Sequence, residues 1–166
     1  VEKHVLGDQW NVDIDLSRLT QPAKEEMVSA LDHLEEKTVT VLLVDDNPDD
    51  AQLVRRIVET LQPVRILYAP NGLEGLAEAR QRHPDLIILD LMMPNLDGFS
   101  LLDELKSDDR TMDIPVIVIS AKDLTSEEVK RLSGKIEGIH QKGLLSIQTL
   151  RTQVSSVLEK KRSRGG

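Results

Sequence analysis

Three short, nearly uninterrupted runs of aliphatic residues constrain the fold more than any other feature of the sequence. The runs lie at Val39–Val44, Asp85–Leu89 and Ile114–Ile119, and turn or acidic residues bound each of them. Strands that are buried on both faces have this composition, and they belong to parallel sheets that helices cover on both sides. Weaker runs at Val64–Tyr68 and Ile136–His140 bring the number of predicted strands to five.

Segments with helical periodicity separate the predicted strands, because their apolar residues recur at spacings of three and four. These stripes are Val54, Ile57, Val58 and Leu61; Leu73, Leu76 and Ala77; Leu101, Leu102 and Leu105; and Leu150, Val154, Val157 and Leu158. Typical helix starts precede three of these stripes, namely Asn47-Pro48, Asn71-Gly72 and Ser146. Thr125 or Ser126 can cap a further, short helix, the fourth of five. Five alternations of strand and helix predict an α/β fold with a parallel sheet and right-handed crossovers.

Residues 1–37 carry weaker patterns than the rest of the chain. Thr20 is a candidate helix cap, Pro22 fits the first helical turn, and Met27, Leu31 and Leu34 share one face of the predicted helix. The simplest interpretation is an amphipathic linker helix. The predicted domain then spans residues 38–160, and residues 161–166 are predicted to form a disordered tail.

The composition excludes several kinds of partner and site. The net charge of −8 and the pI of about 5.0 disfavour direct binding to nucleic acid or to an anionic membrane. The absence of Cys excludes disulfides and thiolate metal sites, and it suits the cytoplasm. No apolar run approaches the roughly 18 residues that a membrane-spanning helix needs.

Because the chain begins with Val1, we expect it to be a piece of a longer protein.

Polar residues follow the predicted strands at the edge where parallel α/β sheets bind ligands. Asp45 and Asp46 follow the first strand, Asp90 the third, Ser120 the fourth and Lys142 the fifth. Each residue taken alone is more often a cap, a turn residue or a solvated charge. Their joint placement at one edge is what predicts a site.

The chemistry of such a cluster is specific. Three neighbouring carboxylates repel one another, so at least one pKa should rise when no cation is bound. Mg²⁺ prefers oxygen ligands and can neutralise the charge of a phosphoryl group in transfer. One carboxylate can act as the nucleophile and form an aspartyl-phosphate, while an ammonium and a hydroxyl bind the phosphoryl oxygens.

These residues stand in stretches that resemble the response-regulator receiver domain of two-component signalling. The matching stretches are Val41–Asp49, Pro84–Pro94, Asp97-Gly98, Ile114–Ala121 and Lys142. The resemblance implies a flavodoxin-like (βα)5 three-layer sandwich with the parallel strand order 2-1-3-4-5. It also implies a phosphorelay module that signals by protein contact, with a histidine kinase or a histidine phosphotransfer domain as its partner; a homodimer is left open.

The resemblance implies a role for each matching position. Asp90 would accept the phosphoryl group from a phosphohistidine. Asp45, Asp46, Asp90 and the backbone carbonyl of Met92 would hold Mg²⁺. Ser120 and Lys142 would contact the phosphoryl group, and the movement of Ser120 would start the conformational switch.

Three departures from the family pattern affect the steps after phosphorylation. Gly143 replaces the usual Pro after the lysine, so a trans peptide bond is expected there. Ile139 replaces the usual switch aromatic, so its inward swing does not carry over. Met92 and Lys122 occupy the positions that tune attack by water on the phosphoryl group, and Met92 cannot orient a water. The Lys-Gly pair without the aromatic resembles receivers at the carboxyl end of hybrid histidine kinases.

The resemblance leaves three alternatives open. Residues 1–37 could be the tail of a preceding degenerate receiver-like domain, in which Gln21 stands in place of the lysine. A Mg²⁺-dependent phosphatase of the haloacid dehalogenase type also uses a strand-end Asp, but Met92 stands where such enzymes have their second Asp. A pseudo-receiver scaffold would not need the intact acidic residues and Lys142.

Overall fold

The computed structural model describes residues 4–6, 10–12, 16–142 and 147–164. The chain divides into two compact units, Val1–Thr38 and Val39–Gly166. None of the helices within the described ranges is long and apolar enough to cross a membrane.

The first unit contains an antiparallel strand pair and one long helix. Strand β1 (His4–Leu6) pairs with β2 (Trp10–Val12), a short 3₁₀ helix follows at Leu16–Arg18, and α1 spans Gln21–Lys37. The Lys24 N–H donates to the Thr20 carbonyl at 3.0 Å, so α1 begins where the start signal predicts. Whether this unit is a linker or the tail of a degenerate receiver stays a prediction.

The second unit is built on a five-stranded parallel sheet. Its strands are β3 (Val39–Val44), β4 (Val64–Ala69), β5 (Leu86–Asp90), β6 (Val116–Ser120) and β7 (Gly138–Gln141). Their order is β4-β3-β5-β6-β7, which is 2-1-3-4-5 when the strands of this unit are counted alone. The predicted flavodoxin-like fold is therefore confirmed.

Strand β3 has the predicted bounds, whereas the bounds of the other four strands differ from the predicted ones by at most two residues, and β6 shows a reason. Pro115 has no N–H to donate to the sheet, and its carbonyl accepts the Ile87 N–H at 3.0 Å. The Ile114 N–H instead donates to the Thr111 carbonyl at 3.0 Å within the preceding turn. Strand β6 consequently begins at Val116.

Five helices connect and cover the strands: α2 (Pro48–Glu59), α3 (Gly72–Arg82), α4 (Gly98–Ser107), α5 (Ser126–Leu132) and α6 (Ile147–Arg164). Asn47 and Asn71 cap α2 and α3 as the sequence predicts. Of the two candidates for α5, Thr125 is the cap. The candidate cap Ser146 lies outside the described residues.

Helix α6 continues to Arg164, past the point where the sequence predicts a disordered tail at 161–166. Lys161 Nζ lies 2.8 Å from Asp85 Oδ1, and an Arg162 Nη2 hydrogen bond of 2.9 Å reaches Gln62 Oε1. Basic residues are also favourable at a helix carboxyl terminus, where the peptide carbonyls carry partial negative charge. These contacts favour a helical conformation of the basic segment.

The sheet has an apolar core on each face. Within β3, Leu42 and Val44 belong to the core beneath α3 and α4, and Val41 and Leu43 belong to the core beneath α2 and α6. Burial on both faces is what the continuous aliphatic runs predict. The two layers of helices leave the carboxyl edge of the sheet to carry the polar residues.

Candidate functional site

The sheet brings the predicted polar residues to its carboxyl edge. Asp45 directly follows β3, Asp90 is the last residue of β5, Ser120 is the last residue of β6 and Lys142 directly follows β7. The register pairs Asp90 with Ile119 and Ser120 with Gln141, so the ends of β5, β6 and β7 lie side by side. The arrangement follows from the strand order and from the length of each strand.

Asp45, Asp46 and Asp90 form an acidic cluster in which one carboxylate oxygen of each lies within 4.8 Å of the others. Asp45 and Asp90 are buried, at 7% and 4% exposure, whereas Asp46 is exposed. The Asn47 N–H donates to Asp45 Oδ1 at 2.9 Å, and the Met92 N–H donates to Asp90 Oδ1 at 3.0 Å. Backbone hydrogen bonds therefore fix one oxygen of each buried carboxylate.

Lys142 joins this cluster through its ammonium group. Lys142 Nζ lies 2.9 Å from Asp45 Oδ2, 3.2 Å from Asp90 Oδ2 and 2.8 Å from Asp50 Oδ2. Sequence reasoning missed Asp50. The available signal was its place in the first turn of α2, next to the strand end that supplies Asp45 and Asp46.

The pKa of the Asp90 carboxyl is raised, mainly because the group is buried. The Met92 N–H and Lys142 oppose this rise, and Asp45 adds to it. The sequence predicts a raised pKa from repulsion among the carboxylates; the direction is confirmed, but burial is the larger cause. Burial disfavours the charge of Lys142, yet hydrogen bonds to Asp50 and Asp45 raise its pKa overall, so it stays an ammonium.

Ser120 is buried at the end of β6, and its hydroxyl is bonded to the next loop. Ser120 Oγ donates to the Lys122 carbonyl at 3.2 Å and accepts the Lys122 N–H at 3.3 Å. Lys122 Nζ lies 2.6 Å from Glu128 Oε1 on α5. The structure thus places Ser120 at the site edge, with its hydroxyl engaged by the β6–α5 loop.

Tyr68 is a second residue near the site that sequence reasoning missed. Its hydroxyl donates to the backbone carbonyl of Asp45 at 2.9 Å. Burial, followed by the charges of Asp45 and Asp46, raises the pKa of the Tyr68 phenol. Tyr68 stands beside Leu43 in the parallel register, so its nearness to the acidic loop follows from the sheet order, but its side-chain direction does not.

Gly98 allows α4 to begin against the strand that carries Asp90. A Cβ at this position would lie 2.5 Å from the Asp90 carbonyl oxygen and 2.5 Å from Leu91 Cα. The Gly98 N–H also donates to the Leu91 carbonyl at 3.2 Å. The Asp97-Gly98 pair therefore serves as a helix cap and as a close backbone contact behind the acidic cluster.

The structure describes all but one of the positions that depart from the family pattern. Ile139 lies on β7 at 39% exposure, and the neighbouring His140 ring is hydrogen-bonded to Gln153 of α6. The Met92 side chain is half-exposed. Gly143, and with it the expected trans bond, lies outside the described residues.

The acidic cluster suits a hard divalent cation. Carboxylate oxygens are the ligands that Mg²⁺ prefers, and it binds them at about 2.0–2.1 Å, so oxygens sharing one ion lie within about 4.2 Å of each other. One carboxylate oxygen each of Asp45, Asp46 and Asp90 lies within 4.8 Å of the others, which is close to this spacing. The arrangement can therefore bind a cation beside a buried carboxylate and an ammonium.

Comparison with known proteins gives a consistent result. The family model described as "Response regulator receiver domain" matches residues 41–155. Protein PilH of Pseudomonas aeruginosa is 37% identical over 98 residues, which are 59% of this chain and 78% of PilH. The polar-differentiation response regulator DivK of Brucella ovis is 33% identical over 100 residues, which are 60% of this chain and 80% of DivK.

A longer relative matches nearly the whole chain. Hybrid signal transduction histidine kinase D of Dictyostelium discoideum is 26% identical over 166 aligned residues, which cover 97% of this chain but only 10% of the kinase. A solved signal receiver domain of a signal transduction histidine kinase from Syntrophus aciditrophicus is 27% identical and superposes with a TM-score of 0.66, covering 74% of this chain and 92% of that domain. The receiver protein domain from Methanoculleus marisnigri is 34% identical with a TM-score of 0.59, covering 72% and 95%.

Proposed function

The chain belongs to the response regulator receiver domain family, and from that premise we propose that Asp90 is the phosphoacceptor of this receiver. The observation that carries the proposal is the environment of its carboxylate. Asp90 is 4% exposed, its Oδ1 accepts the Met92 N–H, and its Oδ2 lies 3.2 Å from Lys142 Nζ. A carboxylate held in this way is oriented for attack on a phosphorus atom above the sheet edge.

The proposed reaction transfers a phosphoryl group from the phosphohistidine of a histidine kinase or a histidine phosphotransfer domain. A carboxylate oxygen of Asp90 forms a bond to phosphorus, and the bond from phosphorus to the imidazole nitrogen breaks. The nitrogen leaves with the electron pair and the histidine returns to its neutral or protonated form. Lys142 binds the phosphoryl oxygens, and Ser120 leaves the Lys122 backbone to donate to one of them.

The proposal includes Mg²⁺ as the cation of the acidic cluster. Asp45, Asp46, Asp90 and the backbone carbonyl of Met92 would hold it. When bound, Mg²⁺ neutralises the negative charge of the phosphoryl oxygens. The convergence of three carboxylates supports this choice of ion, and the Met92 N–H bond to Asp90 supports the nearness of the Met92 backbone.

In this role the chain acts as a signalling module and not as a free enzyme. The product of the reaction is the phosphorylated form of the chain itself. The comparisons favour a receiver and do not favour the haloacid dehalogenase-type phosphatase. The intact Asp45, Asp90 and Lys142 contacts argue against a pseudo-receiver scaffold.

Incubation with acetyl phosphate and Mg²⁺, followed by intact mass measurement, tests the proposal. We expect one phosphoryl adduct on the wild-type chain and none on Asp90→Ala. Asp109→Ala is the matched control, because Asp109 is an exposed carboxylate outside the acidic cluster. Hydrolysis of the donor without an adduct would favour the phosphatase, and neither adduct nor hydrolysis would favour the scaffold.

A further inference from the structure

Lys142 must hold its ammonium over the reacting carboxylate, and we infer that Asp50 is the positioning residue that keeps it there. The inference rests on the proposed phosphoacceptor function of Asp90. Asp50 lies in the first turn of α2, and its Oδ2 is 2.8 Å from Lys142 Nζ. This is the shortest of the three distances from that ammonium to a carboxylate.

Asp50 differs from the other two carboxylates that contact Lys142, because it does not also belong to the acidic cluster. Asp45 and Asp90 belong to the acidic cluster that can hold a cation, whereas Asp50 is not a member of the cluster found among the described residues. A cation and an ammonium compete for the oxygens of the same carboxylates. Asp50 is therefore the partner that Lys142 keeps when Asp45 and Asp90 bind a cation.

The backbone of Asp50 is fixed independently of the acidic cluster. Pro48 begins α2, and the Asn47 side chain accepts the N–H groups of Asp49 at 3.0 Å and Asp50 at 3.4 Å. The Asp50 side chain is 41% exposed, whereas the Lys142 side chain is 18% exposed. Asp50 thus holds the ammonium from the solvent side, while Asp45 and Asp90 contact it from within.

The neighbouring Asp49 provides a matched control. It is also exposed and also lies in the first turn of α2. Replacing either residue with Ala removes one negative charge from the same helix terminus. If Asp50 acted only by repelling an anionic donor, its loss would speed phosphorylation. If it positions Lys142, its loss slows phosphorylation.

The first measurement is the initial rate of phosphorylation of the full chain by acetyl phosphate at saturating Mg²⁺, over a range of donor concentrations. In this step an Asp90 oxygen bonds to phosphorus, the bond from phosphorus to the acetate oxygen breaks, and acetate leaves with the electron pair. We expect Asp50→Ala to lower the maximal rate about tenfold without raising the half-saturating donor concentration, since misplacement of a group at the site slows the step and not the encounter. Asp49→Ala should match the wild type, and Asp50→Glu should recover part of the rate.

The second measurement is a Mg²⁺ titration without any phosphodonor, followed by the amide chemical shifts of isotope-labelled protein. Without Asp50, the Lys142 ammonium contacts only Asp45 and Asp90, and it competes more strongly with Mg²⁺ for their carboxylate oxygens. Asp50→Ala should therefore bind Mg²⁺ severalfold more weakly than Asp49→Ala. The same spectra show whether each variant is folded. The inference is overturned if the two variants match in either measurement. A wild-type chain that acquires no phosphoryl group would instead overturn the proposed function.

Discussion

Met92 occupies a position that tunes the loss of the phosphoryl group in the receiver family. It stands two residues after Asp90, and its half-exposed thioether side chain offers no strong hydrogen bond to a water molecule. Lys122, the other position that tunes hydrolysis in the family, is held 2.6 Å from Glu128 on α5. Because the Met92 thioether cannot orient an attacking water and Lys122 is ion-paired with Glu128, we expect a slow loss of the phosphoryl group.

We therefore predict a long-lived phosphoryl state that Met92→Asn shortens. The Asn amide can position a water molecule, and we expect it to speed hydrolysis about tenfold, a modest part of what a positioned polar group can contribute. A chase of radiolabelled protein measures the lifetime. Met112→Asn is the control, because Met112 is similarly exposed but lies outside the site. Hydrolysis of the wild-type phosphoryl group within seconds would contradict this prediction.

At the scale of single elements, α5 is a short helix whose start is unusually well fixed. Thr125 Oγ1 accepts the Glu128 N–H at 3.2 Å, and Glu128 Oε2 accepts the Thr125 N–H at 2.9 Å. This reciprocal capping box satisfies two backbone donors that have no partner within the helix. Glu128 also binds Lys122, so the cap of α5 is connected to the loop that engages Ser120.

Loss of this cap has a predictable effect on stability. We expect Thr125→Ala to lower the free energy of unfolding by about 1 kcal/mol, the usual cost of losing a Thr cap. Urea denaturation followed by circular dichroism measures the change. Ser126→Ala, at the first helical residue, should have a much smaller effect. Equal losses in the two variants would show that Thr125 is not the residue that matters.

Asp103 connects α4 to the segment that contains α5. It accepts a hydrogen bond from Arg131 at 2.5 Å and one from Lys135 at 2.8 Å, and Arg131 also lies over the Phe99 ring, 5.1 Å from its centre. The bond from Arg131, followed by that from Lys135, lowers the pKa of the Asp103 carboxyl below its ordinary value of 3.8.

This shift gives a pH dependence of known sign. A carboxyl whose pKa is lower in the folded state stabilises the fold above its unfolded pKa, and that contribution is lost as the pH falls through the folded value. We expect the difference in unfolding free energy between wild type and Asp103→Asn to be largest above about pH 5 and to shrink toward zero in acid. Because the Asp103 side chain is 40% exposed and solvent screens its ion pairs, the difference should be small. A constant difference across this range would contradict the assignment.

The sequence predicts the elements well where one local rule decides them. Continuous aliphatic runs predict β3 and β5, and Asn47 and Asn71 cap helices where predicted. The five predicted polar residues also reach one edge of the sheet, because the strand order determines which strand ends are neighbours.

The sequence does not predict features that depend on side-chain direction. The contact of Asp50 with Lys142 joins residues 92 positions apart, and it depends on which way the first turn of α2 faces. The hydrogen bond of Tyr68 to Asp45 similarly depends on a rotamer. The extended carboxyl-terminal part of α6 makes ion pairs such as Lys161 with Asp85, which no local pattern shows.

At the scale of the whole molecule, the second unit has an apolar core of its own. Among the residues whose side chains the structure describes, every buried hydrophobic one lies between Val39 and Leu158. Helix α6 contributes Leu150, Val154 and Val157 to this core, whereas the described side chains of α1 are at most partly buried. Burial of apolar area is the main source of folding free energy, so the second unit should not depend on residues 1–38.

We predict that a chain lacking residues 1–38 folds and keeps its phosphoacceptor activity. Its thermal midpoint should stay within about 4 °C of the intact chain, which corresponds to a change of less than about 1 kcal/mol for a domain of this size. Thermal denaturation by circular dichroism and phosphorylation by acetyl phosphate measure the two properties. Removal of residues 147–164 is the contrasting deletion, and it should abolish the cooperative transition because it exposes the core beneath α6. A shorter chain without residues 1–38 that melts non-cooperatively would show that the first unit supports the receiver fold.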